Sequence, residues 1–523
     1  MQKRCAAAEA TVAAALLLGA CASGGAAQDP GQHTLLVVAD PQLHNIHGLS
    51  LKQMAPAADF VSGVAIRPPE LNILAPLVFD QALQKGLKND PDVLLVLGDV
   101  ANIGCSGEVE QFYGVVQGQA GRLPPVIMAH GNHDTYLMGT LNTYFPMDDA
   151  EGWKPATMQA SAVPTDESWW DQPGPTTSLA KPGWRDGCYH PGTASAPMNK
   201  SRWLAKYMAS LERWGAVARP GSAAGTAVPL TIEATPGSAL AGLNYRAEGM
   251  WHRPAFRARP SESDFNAAYR SYIVQRFDLG KTSTVVIDTS VCENARSITM
   301  PVTNAGTWAC IGAEQLDTIA RMVREVPPDH RLVLASHFPI RGLALGVVEH
   351  LALLKVLNER GSWTYLSAHT HDGKTDKKHS RGHEINMGST TDWPMEWNLV
   401  RYPAGPARPW ADTFLNPNPG RIAYVRARDL DDRFEVCRHL AAAEKLAKLD
   451  LAAPLTSWQS PPADVQCKVA SRKDWVEQSR RLDEQIGEIH RRYREDKNGY
   501  RDRLLAIAAA ASEAESHTFS LIK

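Results

Sequence analysis

The chain has 523 residues, 44% of them apolar and 21% charged, which is ordinary globular usage. That excludes a disordered chain, a collagen-like repeat and a disulfide miniprotein, and the length suits two or three domains or one domain with large insertions. Lys and Arg (54) nearly balance Asp and Glu (56) for a net charge of −2, so no broad positive field exists to hold a nucleic-acid backbone.

The first residues read as an address. Lys3 and Arg4 form a positive n-region and Val12 to Leu18 a short apolar stretch, the layout of a secretory signal. Its end, Leu18-Gly19-Ala20-Cys21, resembles a bacterial lipobox, in which the Cys is lipidated and becomes the mature N-terminus. The expectation is therefore a signal over 1–20, a Gly/Ala/Ser tether over 21–33 and a lipid on Cys21; cleavage after Ala27 is the alternative. The protein is then exported, periplasmic or at the cell surface, and anchored to a membrane. No apolar run reaches the roughly 18 residues of a spanning helix. Beyond Cys5 and Cys21, six cysteines remain. An even number in an oxidising compartment suggests up to three disulfides. Cys292–Cys310 and Cys437–Cys467 would each close a local loop, leaving Cys105–Cys188.

Apolar runs mark five strands in chain order. Leu35–Ala39 ends at Asp40, Val93–Leu97 at Gly98-Asp99, and Pro125–Ala129 near Gly131-Asn132-His133-Asp134. Leu332–Ala335 ends at Ser336-His337 and Trp363–Ser367 at Ala368-His369-Thr370-His371. Between the first two, Leu71 to Lys88 has helical spacing. Residues 135–330 are rich in Pro, Gly and Trp and read as an insertion, loop-rich over 135–270, before Tyr272–Phe277 and Ser283–Ile287 rejoin the sheet. Arg421–Arg428 and Arg433–His439 read as two closing strands. From Arg472 the stripe Trp475, Leu482, Ile486, Ile489 and Tyr493 predicts an amphipathic helix, broken at Asn498-Gly499 into a helical hairpin.

Each of the five strands delivers polar residues at its C-terminal end, where open α/β sheets place their sites. Asp40, Gln42, Asp99, Asn132, His337, His369 and His371 offer oxygen and nitrogen donors without thiolate, a set that suits Mn, Zn, Fe or Ni. Two such ions, about 3.5–4 Å apart, can clamp a phosphate and activate a water.

This order of motifs resembles the calcineurin-like metallophosphoesterase superfamily, whose pattern is D-x-H, G-D, G-N-H-[DE], a lone His, then G-H-x-H. The resemblance covers roughly 34–134 and 331–440. It implies an α/β fold, a four-layer αββα sandwich over 34–440 with the large insertion and a C-terminal helical extension over 441–523. It implies that Asp99 bridges two divalent ions, with Asp40, Gln42 and His371 completing one site and Asn132, His337 and His369 the other. His133 would bind the phosphate or protonate the leaving oxygen. The implied activity is hydrolysis of a phosphate mono- or diester, of a phosphorylated small molecule or lipid, by metal-bound hydroxide. The alternatives are a pyrophosphatase or phospholipid headgroup hydrolase, and a non-catalytic lipoprotein that binds a phosphorylated ligand.

Two residues depart from the pattern. Gln42 stands where most members have His, a weaker and neutral donor, as in members with a D-P-Q block; His44 and His47 are near enough to substitute. Ala368 replaces Gly and asks for no positive φ there. Asp134 is expected to orient His133 or cap a turn, and Asn102 to hydrogen-bond His133. His130 and His383 are read as structural, His190 and His252 as candidates to touch substrate. The Trp residues of the insert read as its own core, and Arg480, Arg481, Arg491, Arg492 and Arg494, interleaved with Glu, as a solvated helix face.

Overall fold

A computed structural model describes residues 33–44, 68–102, 104–135, 198, 200–214, 228–233, 239–251, 272–290, 309, 311–345, 347–371, 373, 375–378, 381–392, 395–402, 432–462 and 465–520. The chain begins by alternating strand and helix: β1 (His33–Val38), α1 (Pro69–Leu87), β2 (Val93–Val96), α2 (Ser106–Gln117) and β3 (Val126–Met128). Next come α3 (Lys200–Trp214), then β4 (Val228–Glu233), β5 (Arg246–Trp251), β6 (Tyr272–Leu279) and β7 (Thr282–Ile287). Alternation returns with α4 (Ala313–Arg324), β8 (Arg331–Ala335), α5 (Val347–Glu359) and β9 (Trp363–Ser367), followed by β10 (Thr375–Lys378), β11 (Gly382–Asn386) and β12 (Asn398–Tyr402). Helices α6 (Asp432–Ala447), α7 (Arg472–Glu495) and α8 (Tyr500–Ser520) end the described chain.

The described strands form two sheets, one in the order β12-β1-β2-β3 and one in the order β10-β11-β9-β8-β7-β6-β5-β4. Strands β1, β2 and β3 are parallel to one another, as are β7, β8, β9 and β11. Parallel strands are covered on both faces, which is why their sequences are continuous apolar runs. The period of two then sorts the second sheet's side chains. Ile273, Phe277, Val333, Ala335 and Leu366 join the large core shared with the first sheet, whereas Tyr272, Val274, Leu332, Leu334 and Tyr365 join a smaller core with α4 and α5. Helix, sheet, sheet and helix thus stack as layers, the mixed α/β architecture expected from the sequence.

α1 packs so closely on β1 that a Cβ on Gly86 would lie 2.5 Å from Leu36 Cδ1. Its outer side is covered by α6 and α8, and Tyr493 and Tyr500 are buried in the same core. The C-terminal helices therefore complete the first helical layer. A Cys437–Cys467 disulfide, the pairing expected there, ties α6 to the segment before α7, with Cα atoms 5.5 Å apart. Cys105 is disulfide-bonded too; Cys188, Cys292 and Cys310 lie outside the described residues. On α7, Arg480 pairs with Glu477 and Glu484, and Arg491 with Glu488 and Glu495. The helix breaks at Asp496 and Asn498, both at positive φ, before α8. Among the described residues no helix is long and apolar enough to cross a membrane.

Three expectations change. Arg433–His439 is helix, not strand, and the boundary expected at 440 falls inside α6. Phe434 and Val436 alternate over a short window, but Val436, Leu440, Ala443 and Ala447 recur at helical spacing and are all buried. The stretch 135–270 is also less loop-like than expected. It supplies α3, whose Trp203, Leu204, Tyr207 and Leu211 are core, and β4 and β5, which extend the second sheet before β6. Arg421–Arg428 lies outside the described residues.

Candidate metal centre

The site is built where strands stop. Five of its residues take left-handed backbone conformations: Asp40 (φ 46°), Gln42 (φ 39°), Asp99 (φ 52°), His369 (φ 70°) and His371 (φ 56°). A non-glycine residue there costs on the order of 1–3 kcal/mol and persists only where the surroundings over-determine it. The surroundings here are the neighbouring strand ends. Gln42 N donates to Asp99 O at 2.8 Å, Ala368 N to His337 O at 2.8 Å, and Ser389 Oγ to Asp40 O at 2.8 Å. Gly131 is needed for close approach, since a Cβ on it would overlap Asp99 N and Oδ1. Ala368 is not among the positive-φ residues.

The side chains converge on Asp99. His337 Nε2 lies 3.3 Å and Gln42 Nε2 3.4 Å from Asp99 Oδ2, while His133 N donates to Asp99 Oδ1 at 2.8 Å. Asn132 Oδ1 lies 2.8 Å from His337 Nε2 and 3.0 Å from His369 Nδ1. On the other side His371 Nε2 lies 3.3 Å from Asp40 Oδ1. Among the described residues two groups of potential ligand atoms follow, Asp99 with His337 and His369, and Asp99 with Asp40 and His371. Asp99 belongs to both. Among the described residues Gln42 Oε1 is buried without a hydrogen-bond partner, and Asp40 Oδ1 meets His371 Nε2 only as an ion pair at 3.3 Å. A buried acceptor left unpaired is costly, and a cation between these groups would satisfy Gln42 Oε1 and take the place of the His371 proton beside Asp40.

Second partners fix which imidazole nitrogen faces inward. His337 Nδ1 donates to Leu97 O at 2.9 Å and His371 Nδ1 to Asp392 Oδ2 at 3.2 Å, so both turn Nε2 to the carboxylates. His133 Nδ1 donates to Asn102 O at 2.6 Å. The expected contact between Asn102 and His133 thus runs through the backbone carbonyl, and among the described residues the Asn102 amide has no partner.

Charge is concentrated here. Full burial would raise Asp99, but the charges of His337 and His133 hold its carboxyl well below the usual range. Burial would lower His337 and His371; Asp99 and Asp40 instead raise His337 to about 9, and Asp40 and Asp392 raise His371 to about 10. Burial and the nearby His337 charge push His369 well down, and burial likewise lowers His133.

Asp134 neither binds the centre nor touches the His133 ring in this arrangement. Its carboxylate accepts from the backbone N–H groups of Asp99, Val100, Ala101 and Gly131 at 3.0, 2.6, 3.2 and 2.8 Å, clamping two loops together. Burial and the Asp99 charge push it up to about 7. His44 is buried against Glu108, Nδ1 to Oε1 at 2.9 Å. His130 is buried and T-stacked on Trp203 at 4.8 Å, and His383 is exposed on β11. His47, His190 and His252 lie outside the described residues. Sequence reasoning missed Asp392, in a loop with no periodic signal, and Asp288-Thr289-Ser290, which directly follow β7. The latter was findable, because it closes an apolar run as the other site residues do.

Residues 34–207 match the family model of the calcineurin-like phosphoesterases. Solved structures with similarity include a dimetal phosphatase from Danio rerio, 12% identical, covering 74% of this chain and 100% of that one at a TM-score of 0.36. A purple acid phosphatase from yellow lupin (Lupinus luteus) seeds is 11% identical, covering 72% and 50% at a TM-score of 0.32. The phosphopantetheinyl hydrolase of Mycobacterium tuberculosis is 12% identical, covering 75% and 98% at a TM-score of 0.25. No curated protein matches the chain.

Proposed function

We propose that this chain, a calcineurin-like phosphoesterase over residues 34–207 and hence a metal-dependent phosphoric ester hydrolase, hydrolyses a phosphate mono- or diester at a dinuclear centre. The observation that carries the reading is the pair of ligand groups sharing Asp99, with Gln42 Oε1 buried beside them and without a partner among the described residues. Asp40, Gln42, Asp99 and His371 would hold one ion, and Asp99, Asn132, His337 and His369 the other. The donors are hard to borderline, without thiolate, and fit Mn, Zn, Fe or Ni. Bound there, two divalent ions supply Lewis-acid charge to the phosphoryl oxygens and ease loss of a proton from water near neutral pH.

The chain's own groups do the rest. Leu97 O and Asp392 hold the His337 and His371 rings so that ligation needs no reorientation. The tie from His133 Nδ1 to Asn102 O turns Nε2 to the Asp99 side, 3.8 Å from Oδ2, where the protonated ring would contact a phosphate or donate to the leaving oxygen. Because burial lowers this ring, that second proton would have to arrive with the substrate. The His133 side chain is only 11% exposed, which keeps competing water from it.

The address at the N-terminus supports export with a lipid on Cys21, and the Cys437–Cys467 disulfide suits an oxidising compartment. The substrate on this reading is a phosphorylated small molecule or lipid outside the cytoplasm. Retention of the Cys21→Ala variant in membrane fractions would count against the anchor.

The test of the activity is hydrolysis of bis-p-nitrophenyl phosphate and p-nitrophenyl phosphate by the soluble form starting after Cys21. It is run metal-stripped, then with Mn²⁺, Zn²⁺, Fe²⁺ or Ni²⁺, beside His337→Ala. Metal-restored turnover lost in the variant is the expected result, and the ratio of the two rates separates diesterase from monoesterase. Two ions bound and no turnover on either ester would favour a phospholigand-binding role.

A further inference from the structure

We propose that Lys200, Asp288 and Ser290 are positioning residues that set the loop carrying Asn132 against the loop carrying His337. The inference rests on the metal-holding reading above. β7 is followed directly by Asp288-Thr289-Ser290, all buried. Ser290 Oγ donates to Asp288 Oδ1 at 2.7 Å, so its lone pairs are left to accept. They accept from Lys200 Nζ at 3.0 Å and from His130 Nδ1 at 2.6 Å. His130 is thereby a neutral ring protonated on Nδ1, and Thr135 Oγ1 donates to its Nε2 at 3.3 Å. Both nitrogens of His130 are held, and Gly131 and Asn132 follow it directly.

The same short segment reaches the opposite loop. Thr289 Oγ1 accepts from Phe338 N at 3.3 Å, one residue after His337. Gln315 of α4 donates to Asp288 O, fixing the segment from behind. The charge that makes this brace possible is Lys200, the first residue of α3, whose Nζ lies 2.8 Å from Asp288 Oδ2 with the side chain 5% exposed. Without it Asp288 would be a buried, uncompensated carboxylate. Asn132 Oδ1 and His337 Nε2 stand 2.8 Å apart, so a small shift of either loop changes one ligand group. Among the described residues no hydrogen bond links Asp40 or His371 to Lys200, Asp288 or Ser290.

The experiment is calorimetric titration of the metal-free protein with Mn²⁺, comparing wild type with Ser290→Ala, in which the Lys200–Asp288 contact survives. The expected result is about 10-fold weaker binding of one ion, at the low end of what supporting partners contribute, with the other ion's affinity unchanged. The double variant Lys200→Met with Asp288→Asn removes both charges together and is expected to show the same one-sided loss; it decides the matter if Ser290→Ala does not fold. A purely structural role would lower the melting temperature and leave both affinities as they were, and that result overturns the proposal. So does an equal loss at both sites. Wild type that takes up no pair of ions refutes the metal reading itself, whereas a normal pair in wild type and both variants refutes only the brace.

Discussion

Loading the metal-free protein with two divalent ions is expected to release about two protons at pH 7.5. His337 and His371 each face a carboxylate with Nε2, while Leu97 O and Asp392 hold their Nδ1 protons. Burial alone would lower both rings. Asp99 and Asp40 nevertheless raise His337 to about 9, and Asp40 and Asp392 raise His371 to about 10. At pH 7.5 both are imidazolium, and each carries a proton on the nitrogen an ion would take. Removing those protons costs about 2 and about 3 kcal/mol at that pH, one ring per ligand group. Affinity of each group should therefore rise about tenfold per pH unit until its ring's own pKa is reached. His369, already lowered by burial and by His337, adds no proton. Calorimetry in buffers of different ionisation enthalpy counts the protons directly. Affinity that stays flat from pH 6.5 to 8.5, or release of less than about half a proton, would refute the reasoning. The same shifts set the stability of the metal-free fold. His337 and His371 contribute fully below the unfolded value near about 6.5, and the contribution is lost as pH rises through about 9 and about 10. Asp99, held low, works in the other direction: its share is lost as the solution becomes acidic.

Other changes separate the parts of the account. Asp392→Ala should weaken only the ion held by Asp40 and His371, by about 10-fold, read by the same titration; equal weakening of both ions would contradict the geometry. Gly131→Ala should abolish activity and cost about 3 kcal/mol in urea unfolding, because its Cβ meets the backbone and carboxylate of Asp99. Gly86→Ala meets only the tip of Leu36, so it should cost about 1 kcal/mol and leave turnover intact. Cys437→Ser opens a loop of separation 30 and should lower stability by about 3.5 kcal/mol on loop entropy; an unchanged denaturation midpoint would argue against the bond.

Apolar runs closed by polar residues made the sheets and the candidate site legible, because buried parallel strands admit little but Val, Leu, Ile and Ala. The same signal ends at Asp288-Thr289-Ser290, where the polar residues brace the centre without facing it, a distinction only packing makes. β4 was hidden by Pro229, which an edge strand tolerates. β5 was hidden by Gly249, whose missing Cβ lets Tyr272 O approach. α6 was misread because seven residues are too few to separate period two from period 3.6. Asp392 is a matter of tertiary placement: 21 residues separate it from His371, and nothing local relates them.

The most direct test of the central claim is anomalous diffraction from a crystal of the protein soaked in Mn²⁺. The account predicts two peaks about 3.5–4 Å apart, both in contact with the Asp99 carboxylate, one also touching Asp40 and His371 and the other His337 and His369. No peak at Asp99, or ions bound only elsewhere on the molecule, would contradict it.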